Sequence, residues 1–284
     1  MIAFAKRNIK LFFRDKSAVF FSLLSVFIII GLYALFLGDV WANTLTDISN
    51  ARALIDCWIM AGLIAVTSVT TTMGSFGILV DDKARKISKD FYSSPVKRSH
   101  LVAGYVISSF IIGVLMSIVA FILAQIYLLI GGGEMLSTIA IIKSFGLILL
   151  STFTNTAIVL FIVSFFKSQN AFATASTVIG TLIGFLTGIY LPVGNLSGLI
   201  QDIVKLFPVS HAVLLLRQVI MEEQLSIAFG NAPEQYLTDF NEMMGVTFRF
   251  GDYTLTPLVS IIILIITGLL FYSLSIWNLS RKNK

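Results

Sequence analysis

A charged segment with an apolar centre, residues 81–100, lies between two long hydrophobic stretches. Ile87 and Phe91 are four residues apart, so on a helix they share one face, with Tyr92 beside them and charged side chains around them. Pro95 then ends or redirects that helix, because the residue before a proline avoids the helical region. A short charged helix with a compact apolar knob is suited to bind a groove on a soluble partner. The alternative is a solvated loop whose cations only fix the orientation of the chain.

Residues that ordinarily carry out catalysis are few. The two histidines, His100 and His211, are expected on opposite sides of a membrane and therefore cannot share a metal. Glu222 and Glu223 invite comparison with glutamate-based membrane proteases, but no His-Glu-x-x-His motif is present. No phosphate-binding loop of the Gly-x-x-x-x-Gly-Lys-Ser/Thr type occurs, so the chain does not bind ATP in that manner by itself. An intramembrane enzyme is thus the least favoured alternative, and we expect a non-catalytic chain with no metal site.

The elements that must position these residues follow from composition. With 57% hydrophobic and 12% charged residues, the chain has more apolar surface than a soluble domain can bury. A helix needs about 20 mostly apolar residues to cross a bilayer. The sequence therefore predicts an all-α membrane protein with six transmembrane helices, at residues 18–37, 53–80, 101–130, 139–166, 170–190 and 255–277.

Three further segments complete the single transmembrane domain that we assign to residues 1–284. Residues 1–17 predict an amphipathic interfacial helix, with apolar and basic side chains on separate arcs. Residues 81–100 form a connection on the same side of the membrane as the N-terminus. Between spans five and six, residues 191–254 begin with two apolar stretches too short to cross, which predict re-entrant helices. Residues 222–254 are expected to be an exposed outer segment.

The basic residues predict the orientation. With six spans, fifteen of the 20 Lys and Arg residues fall on the side that holds both termini. This asymmetry places the N- and C-termini in the cytoplasm of a multi-pass protein of the cell membrane. The net charge of +5 is then a topology signal and gives no reason to expect a nucleic-acid partner.

Polar residues within the apolar stretches have two interpretations each. Thr67, Thr71 and Ser75 recur every four residues and either bond back to their own helix or line a translocation path. Arg217 is a candidate outer contact for an acidic or phosphate group of a cargo, or for a lipid headgroup. Ionisable residues are rare in the spans, which argues against a proton-coupled carrier and favours an apolar or amphipathic cargo.

Several short motifs, in order along the chain, carry a resemblance to a known family. The chain resembles the ABC-2 type export permeases, the membrane subunits of drug, haemolysin and antibiotic exporters that work with a separate ATPase. The resemblance covers nearly the whole sequence. It rests on the basic N-terminal helix, on Ser94-Pro95-Val96, on Gly188-Ile189-Tyr190-Leu191-Pro192, and on Leu206-Phe207-Pro208 followed by Arg217.

The resemblance implies a function and partners. It implies ATP-driven export of a hydrophobic or amphipathic small molecule, peptide or lipid-like compound, with ATP and Mg²⁺ bound by the partner ATPase and no cofactor in this chain. A second permease copy, identical or similar, and membrane lipids are the other implied partners. An immunity or structural membrane subunit without a full export cycle is the alternative. By resemblance, the ATPase contacts lie within residues 81–99, at Asp82, Arg85, Lys86, Ile87, Asp90, Phe91, Tyr92, Ser94 and Pro95.

Overall fold

Helices account for most of the molecule, as expected where backbone polar groups must be paired within the chain. The computed structural model describes residues 1–45, 48, 50–87, 91 and 98–281, and 83% of it is helical. Five helices in the described part are long and apolar enough to cross a membrane. They are Lys16–Asn43, Ala51–Ala84, Ser99–Ile130, Thr138–Ser164 and Pro257–Asn278.

The first of these helices follows the amphipathic helix α1 (Ile2–Arg14) after a one-residue break. Asp15 caps the N-terminus of α2 (Lys16–Leu32), since its Oδ1 accepts a hydrogen bond from the Ala18 amide at 3.0 Å. The helix then continues through a π-helical turn, Tyr33–Leu37, into α3 (Gly38–Asn43). The predicted first span therefore extends beyond residue 37.

Helix α4 (Ala51–Ala84) occupies the centre of the bundle, and 89% of its most apolar window is buried. It packs against α2 and, among the later helices, mainly against four. These are α5 (Arg98–Ile130), α6 (Thr138–Ser164), α7 (Gln169–Leu186) and α9 (Pro208–Ile220). The last long helix, α12 (Pro257–Arg281), packs mainly against α6.

Hydrogen bonds between polar side chains join the central helices. Ser68 of α4 lies 3.0 Å from the Thr152 hydroxyl of α6, and Asn155 donates to the same Ser68 oxygen at 3.0 Å. Thr154 donates to the Leu264 carbonyl of α12 at 2.9 Å. Because these groups are buried and paired, they hold the helices together at little desolvation cost.

The predicted fifth span, residues 170–190, forms α7 and is not among the five membrane-length helices. Its polar first turn, with Gln169 and Asn170, lowers its mean hydropathy. The helix ends where Gly188 adopts a positive φ of +65°, a conformation that glycine tolerates best. Two short helices follow, α8 (Gly198–Leu206) and α9, bent by 85° at Phe207-Pro208. This bent pair is either a broken span or a re-entrant loop. If it is counted as one span, the described residues contain six candidate membrane spans.

Residues 222–254 fold into a small module, which differs from the exposed segment that we predicted. The module contains α10 (Glu222–Phe229), α11 (Glu234–Met244) and an antiparallel hairpin, β1 (Arg249–Phe250) and β2 (Tyr253–Thr254). Phe229, Phe240 and Met244 are buried and join the main hydrophobic core. We call residues 222–254 the cap module. It covers the N-terminal end of α4, at the opposite end of the bundle from α1.

Candidate functional site

A buried carboxylate at the C-terminal end of α4 anchors α1. Arg7 donates two hydrogen bonds to Asp82, from Nη1 to Oδ2 at 2.8 Å and from Nη2 to Oδ1 at 3.0 Å. Tyr105 of α5 donates its hydroxyl to Asp82 Oδ2 at 2.6 Å. Asp82 is only 3% exposed, and its hydrogen bonds with Arg7 raise the pKa of that guanidinium. This paired arrangement fixes α1, α4 and α5 to one another.

Phe91, which belongs to the apolar knob predicted from the sequence, packs against α1. The Phe91 ring lies 5.0 Å from the Phe4 ring, edge to face, and the Arg7 guanidinium carbon lies 5.2 Å from the Phe91 ring centroid. Phe4 in turn packs edge to face on Tyr105, at 4.9 Å. Gly104 permits this approach, because a Cβ atom there would lie 2.7 Å from Phe4 Cδ1. We call Phe4, Arg7, Asp82, Phe91 and Tyr105 the coupling network.

The charged residues next to the coupling network are more exposed than Asp82. Arg85 donates to Asp81 at 2.7 Å on the exposed surface, and Gln169 at the start of α7 donates to the same Asp81 oxygen at 3.1 Å. Lys86 is exposed with a positive φ of 64°, and Ile87 is half-buried. The remaining residues predicted to contact an ATPase, Asp90, Tyr92, Ser94 and Pro95, lie outside the described residues.

A cleft of about 640 Å³ opens beside the coupling network. Its walls come from α1, α2, α4 and α7, and we call it the proximal cleft. Leu11, Phe12 and Ile78 make its surface partly apolar, while Arg14 and Asp81 are among the charged residues that line it. The glycine at position 74 leaves the α4 wall open, since a Cβ atom there would meet nothing within 4 Å.

The three hydroxyl residues predicted to pack or to line a path lie within the helix bundle and are not among the residues that line the proximal cleft. Thr67 and Thr71 are fully buried and Ser75 is 3% exposed. Each donates to a carbonyl of its own helix, at 2.7, 2.6 and 2.7 Å respectively. Their hydrogen-bonding capacity is thus used locally, which favours the packing interpretation in this conformation.

The structure corrects the interpretation of Arg217 as an outer contact, because this residue is 1% exposed. Its guanidinium donates to the carbonyls of Gly188 and Met244, each at 3.1 Å, and stacks on Trp58 at 4.5 Å from the ring centroid. Trp58 donates to the same Met244 carbonyl at 2.7 Å. The carbonyls come from the C-terminal ends of α7 and α11, where the helix dipole favours a cation. Neither a cargo nor a lipid reaches Arg217 here.

A second arginine organises the same end of the bundle, and sequence reasoning missed it. Arg52 of α4 donates to both carboxylate oxygens of Asp56, at 3.2 and 3.1 Å, and also pairs with Asp39 of α3. The Tyr127 hydroxyl of α5 accepts from Arg52 at 3.2 Å and donates to Asp56 at 2.9 Å. Only the Arg52 and Asp56 spacing of four residues on one helix gave a signal in the sequence.

Arg52 also contacts the π-helical turn in the first span. It donates to the Tyr33 carbonyl at 3.2 Å, the carbonyl that accepts the last backbone bond of the turn from Gly38. A Cβ atom at Gly38 would lie 2.5 Å from the Arg52 guanidinium carbon. Glycine is therefore required for this close approach.

Comparison with known families identifies the class of protein. The model of the ABC-2 type transporter family matches residues 1–221, more than three quarters of the chain. The chain belongs to this family, whose members are the membrane subunits of ABC transporters. It is accordingly a multi-pass membrane protein that associates with an ABC ATPase subunit. No curated protein gives a significant match. The matched region ends at Met221, so the cap module lies beyond it.

Proposed function

We propose that this chain is the permease subunit of an ATP-driven exporter for a hydrophobic or amphipathic compound. The observation that carries the proposal is the coupling network. Through Phe4, Arg7 and Phe91 it joins three helices to the segment whose resemblance implies contact with the ATPase. A displacement of that segment is therefore transmitted directly to α1 and α4.

The proposed orientation places the coupling network in the cytoplasm. Exposed cations on α1, including Lys6, Lys10 and Arg14, cluster at this end of the bundle and suit the cytoplasmic leaflet. We assign α7 as the fifth of six spans, since its 18 residues extend about 27 Å, close to the thickness of the hydrocarbon core. Both termini are then cytoplasmic, and the cap module lies outside the cell.

The proposed cycle uses two permeases, identical or similar, and two ATPase subunits. ATP with Mg²⁺ binds the ATPases and draws the two coupling segments together. Arg85, Lys86, Ile87 and Phe91 are the described residues that we assign to this contact, together with the undescribed Asp90, Tyr92, Ser94 and Pro95. Asp82, which the sequence placed in the same contact, is buried against Arg7 and Tyr105 and therefore supports the segment from within the bundle. Because the nucleotide favours one of two packed arrangements, its binding moves the helices as rigid bodies.

The proximal cleft is the proposed entry site for cargo. It lies among α1, α2, α4 and α7, has a partly apolar lining, and carries both signs of charge. A compound with an apolar body and a polar end can pass from the cytoplasmic leaflet into such a cleft, because the cleft offers apolar contacts to its body and charged groups to its polar end. Thr67, Thr71 and Ser75 form a path only if a further conformation exposes them.

The test uses the permease purified with its ATPase in nanodiscs, with ATP hydrolysis measured over a panel of amphipathic compounds. Lys86→Glu with Phe91→Ala is expected to abolish cargo stimulation. Lys10→Glu with Phe13→Ala is the matched control, because it makes the same chemical changes on the exposed face of α1. Normal stimulation in the first variant would contradict the coupling role. Failure of any ATPase to copurify would favour an immunity or structural subunit.

A further inference from the structure

A groove of about 620 Å³ lies between the cap module and three described residues that follow α3, Thr44, Leu45 and Ile48. We call it the cap groove. Its lining is largely apolar and aromatic, with Phe229, Tyr236 and Phe240 on one side and Leu45 and Ile48 on the other. Neither Tyr236 nor the neighbouring Ala232 is buried, so the groove is open to a ligand.

A smaller cavity of about 250 Å³ adjoins the cap groove and shares Thr44, Leu45 and Met243 with it. It extends the apolar surface to Trp41, at the end of the first span, and to Ile55 of α4. Pockets of several hundred cubic ångströms with mostly apolar walls and a few polar groups are typical binding sites for drug-sized molecules. The two cavities together have these properties.

The charge around the cap groove favours a cation. Asp239 lines the groove and is exposed, and among the described lining residues it is the ionisable one. Its Oδ1 accepts a hydrogen bond from Gln235 at 2.8 Å, which leaves the second oxygen free for a ligand. Residues 222–254 hold six acidic residues and one basic residue, Arg249, which already pairs with Glu242 at 3.2 Å. A cation is therefore attracted to this module.

Aromatic side chains strengthen the preference, because the faces of such rings attract cations. We propose that the cap groove is a binding site for a hydrophobic organic cation, with its charge near Asp239 and its apolar body among Tyr236, Phe240 and Leu45. The site specifies the cargo class of the transporter and in that respect rests on the proposed export function. Binding itself requires neither the ATPase nor transport.

The test measures binding of tetraphenylphosphonium to the permease alone, in nanodiscs, by equilibrium dialysis against protein-free nanodiscs. Saturable binding is expected, and Asp239→Asn should weaken it roughly threefold to tenfold, as for a partly exposed ion pair with aromatic neighbours. Glu234→Gln is the matched control, because Glu234 is exposed on the same helix and does not line the groove. It removes the same charge and should leave the affinity unchanged.

Tetraphenylborate, which has nearly the same shape and the opposite charge, separates charge recognition from apolar binding. We expect no saturable binding of the borate above the nanodisc background. Equal saturable binding of both ions, or equal affinities of the Asp239→Asn and Glu234→Gln variants for the phosphonium, would overturn the proposal.

A labelling experiment locates the ligand without removing any part of the site. Ala232→Cys places a thiol in the groove lining, while the native Cys57 is only 5% exposed. Tetraphenylphosphonium should slow alkylation of this thiol by an impermeant maleimide, and an unchanged rate would place the ligand elsewhere. If export persists in a variant that no longer binds tetraphenylphosphonium, the cap groove is not the cargo site, and the export function itself is unaffected. Binding in a complex that shows no cargo-stimulated hydrolysis would instead overturn the export function.

Discussion

Arg7 and Asp82 are 75 residues apart in the sequence and form a two-point ion pair, with nitrogen to oxygen distances of 2.8 and 3.0 Å. The carboxylate is buried, and the arginine is partly exposed on the amphipathic helix. An interfacial helix is ordinarily held by lipid alone. Here it is attached to the central helix, so it moves with the bundle and not independently along the membrane surface.

Replacing Arg7 with Ala should destabilise the protein by about 2 kcal/mol, since among the described residues it leaves the buried Asp82 carboxylate with the Tyr105 hydroxyl as its side-chain partner. Cargo-stimulated ATP hydrolysis should fall with it. Thermal unfolding in nanodiscs measures the first effect and nucleotide turnover the second. Arg85→Ala is the control for stability alone, because Arg85 is itself assigned to the ATPase contact: it breaks a salt bridge whose arginine is 71% exposed, and should change stability by less than about 0.5 kcal/mol. Equal losses of stability in both variants would contradict the special role of the buried pair.

Arg217→Met should destabilise the cap end by about 2 kcal/mol, because the carbonyls of Gly188 and Met244 lose a charged donor within a buried site. The stacked Trp58 should also change its fluorescence maximum. Lys143→Met, which removes an exposed pair with Glu222 at 3.4 Å, provides the comparison and should have little effect. An unaltered melting temperature in Arg217→Met would show that the carbonyls find other donors.

Gly38→Ala should lower stability by about 1 to 3 kcal/mol, because the new methyl group would displace the Arg52 guanidinium from its partners. Gly31→Ala, one or two turns earlier in the same span, meets no atom within 4 Å and should be neutral or slightly stabilising. Unfolding curves for the two variants, recorded together, test the difference. Matching curves would show that the close approach of Arg52 to Gly38 does not contribute to stability.

Gly74→Leu should reduce transport by filling the proximal cleft, where the wild-type glycine leaves open space. Thr71→Val is the comparison, since the Thr71 hydroxyl bonds only to the Thr67 carbonyl of its own helix and the substitution keeps the volume of the side chain. Uptake of a fluorescent amphipathic compound into inside-out vesicles, or its export from whole cells, measures both. A strong defect in Thr71→Val with normal export in Gly74→Leu would assign the path to the buried hydroxyls.

The length of the apolar stretches was sufficient to predict most long helices, because a helix that spans a bilayer needs about 20 mostly apolar residues. It also predicted the break at Phe207-Pro208, where proline removes a backbone donor. Helix α7 was predicted as a span on the same ground, but its polar first turn and hydroxyl residues lower its mean hydropathy, and it is not among the five membrane-length helices of the described residues. The local sequence therefore predicted where helices begin and end better than which helices contact one another.

The environment of Arg217 could not be predicted, for a physical reason. Its partners are backbone carbonyls, which every residue possesses, so the identities of Gly188 and Met244 carry no signal. The same holds for the cap module, whose core residues Phe229, Phe240 and Phe248 are too widely spaced among polar residues to show a period. Such contacts depend on where the chain returns in space.

The family match stops at Met221, yet Arg217 lies on one side of that boundary and Met244 on the other. A chain cut after Met221 would lack the carbonyls of Met244 and Gly245, which accept hydrogen bonds from the buried Arg217 guanidinium, and would still contain its positive charge. The residues after Met221 therefore complete the environment of a buried charge in the matched region. The segment that they form is hydrogen-bonded to the second helix of the bent pair through Arg217 and Gln218, so buried polar groups within the matched region find their partners outside it.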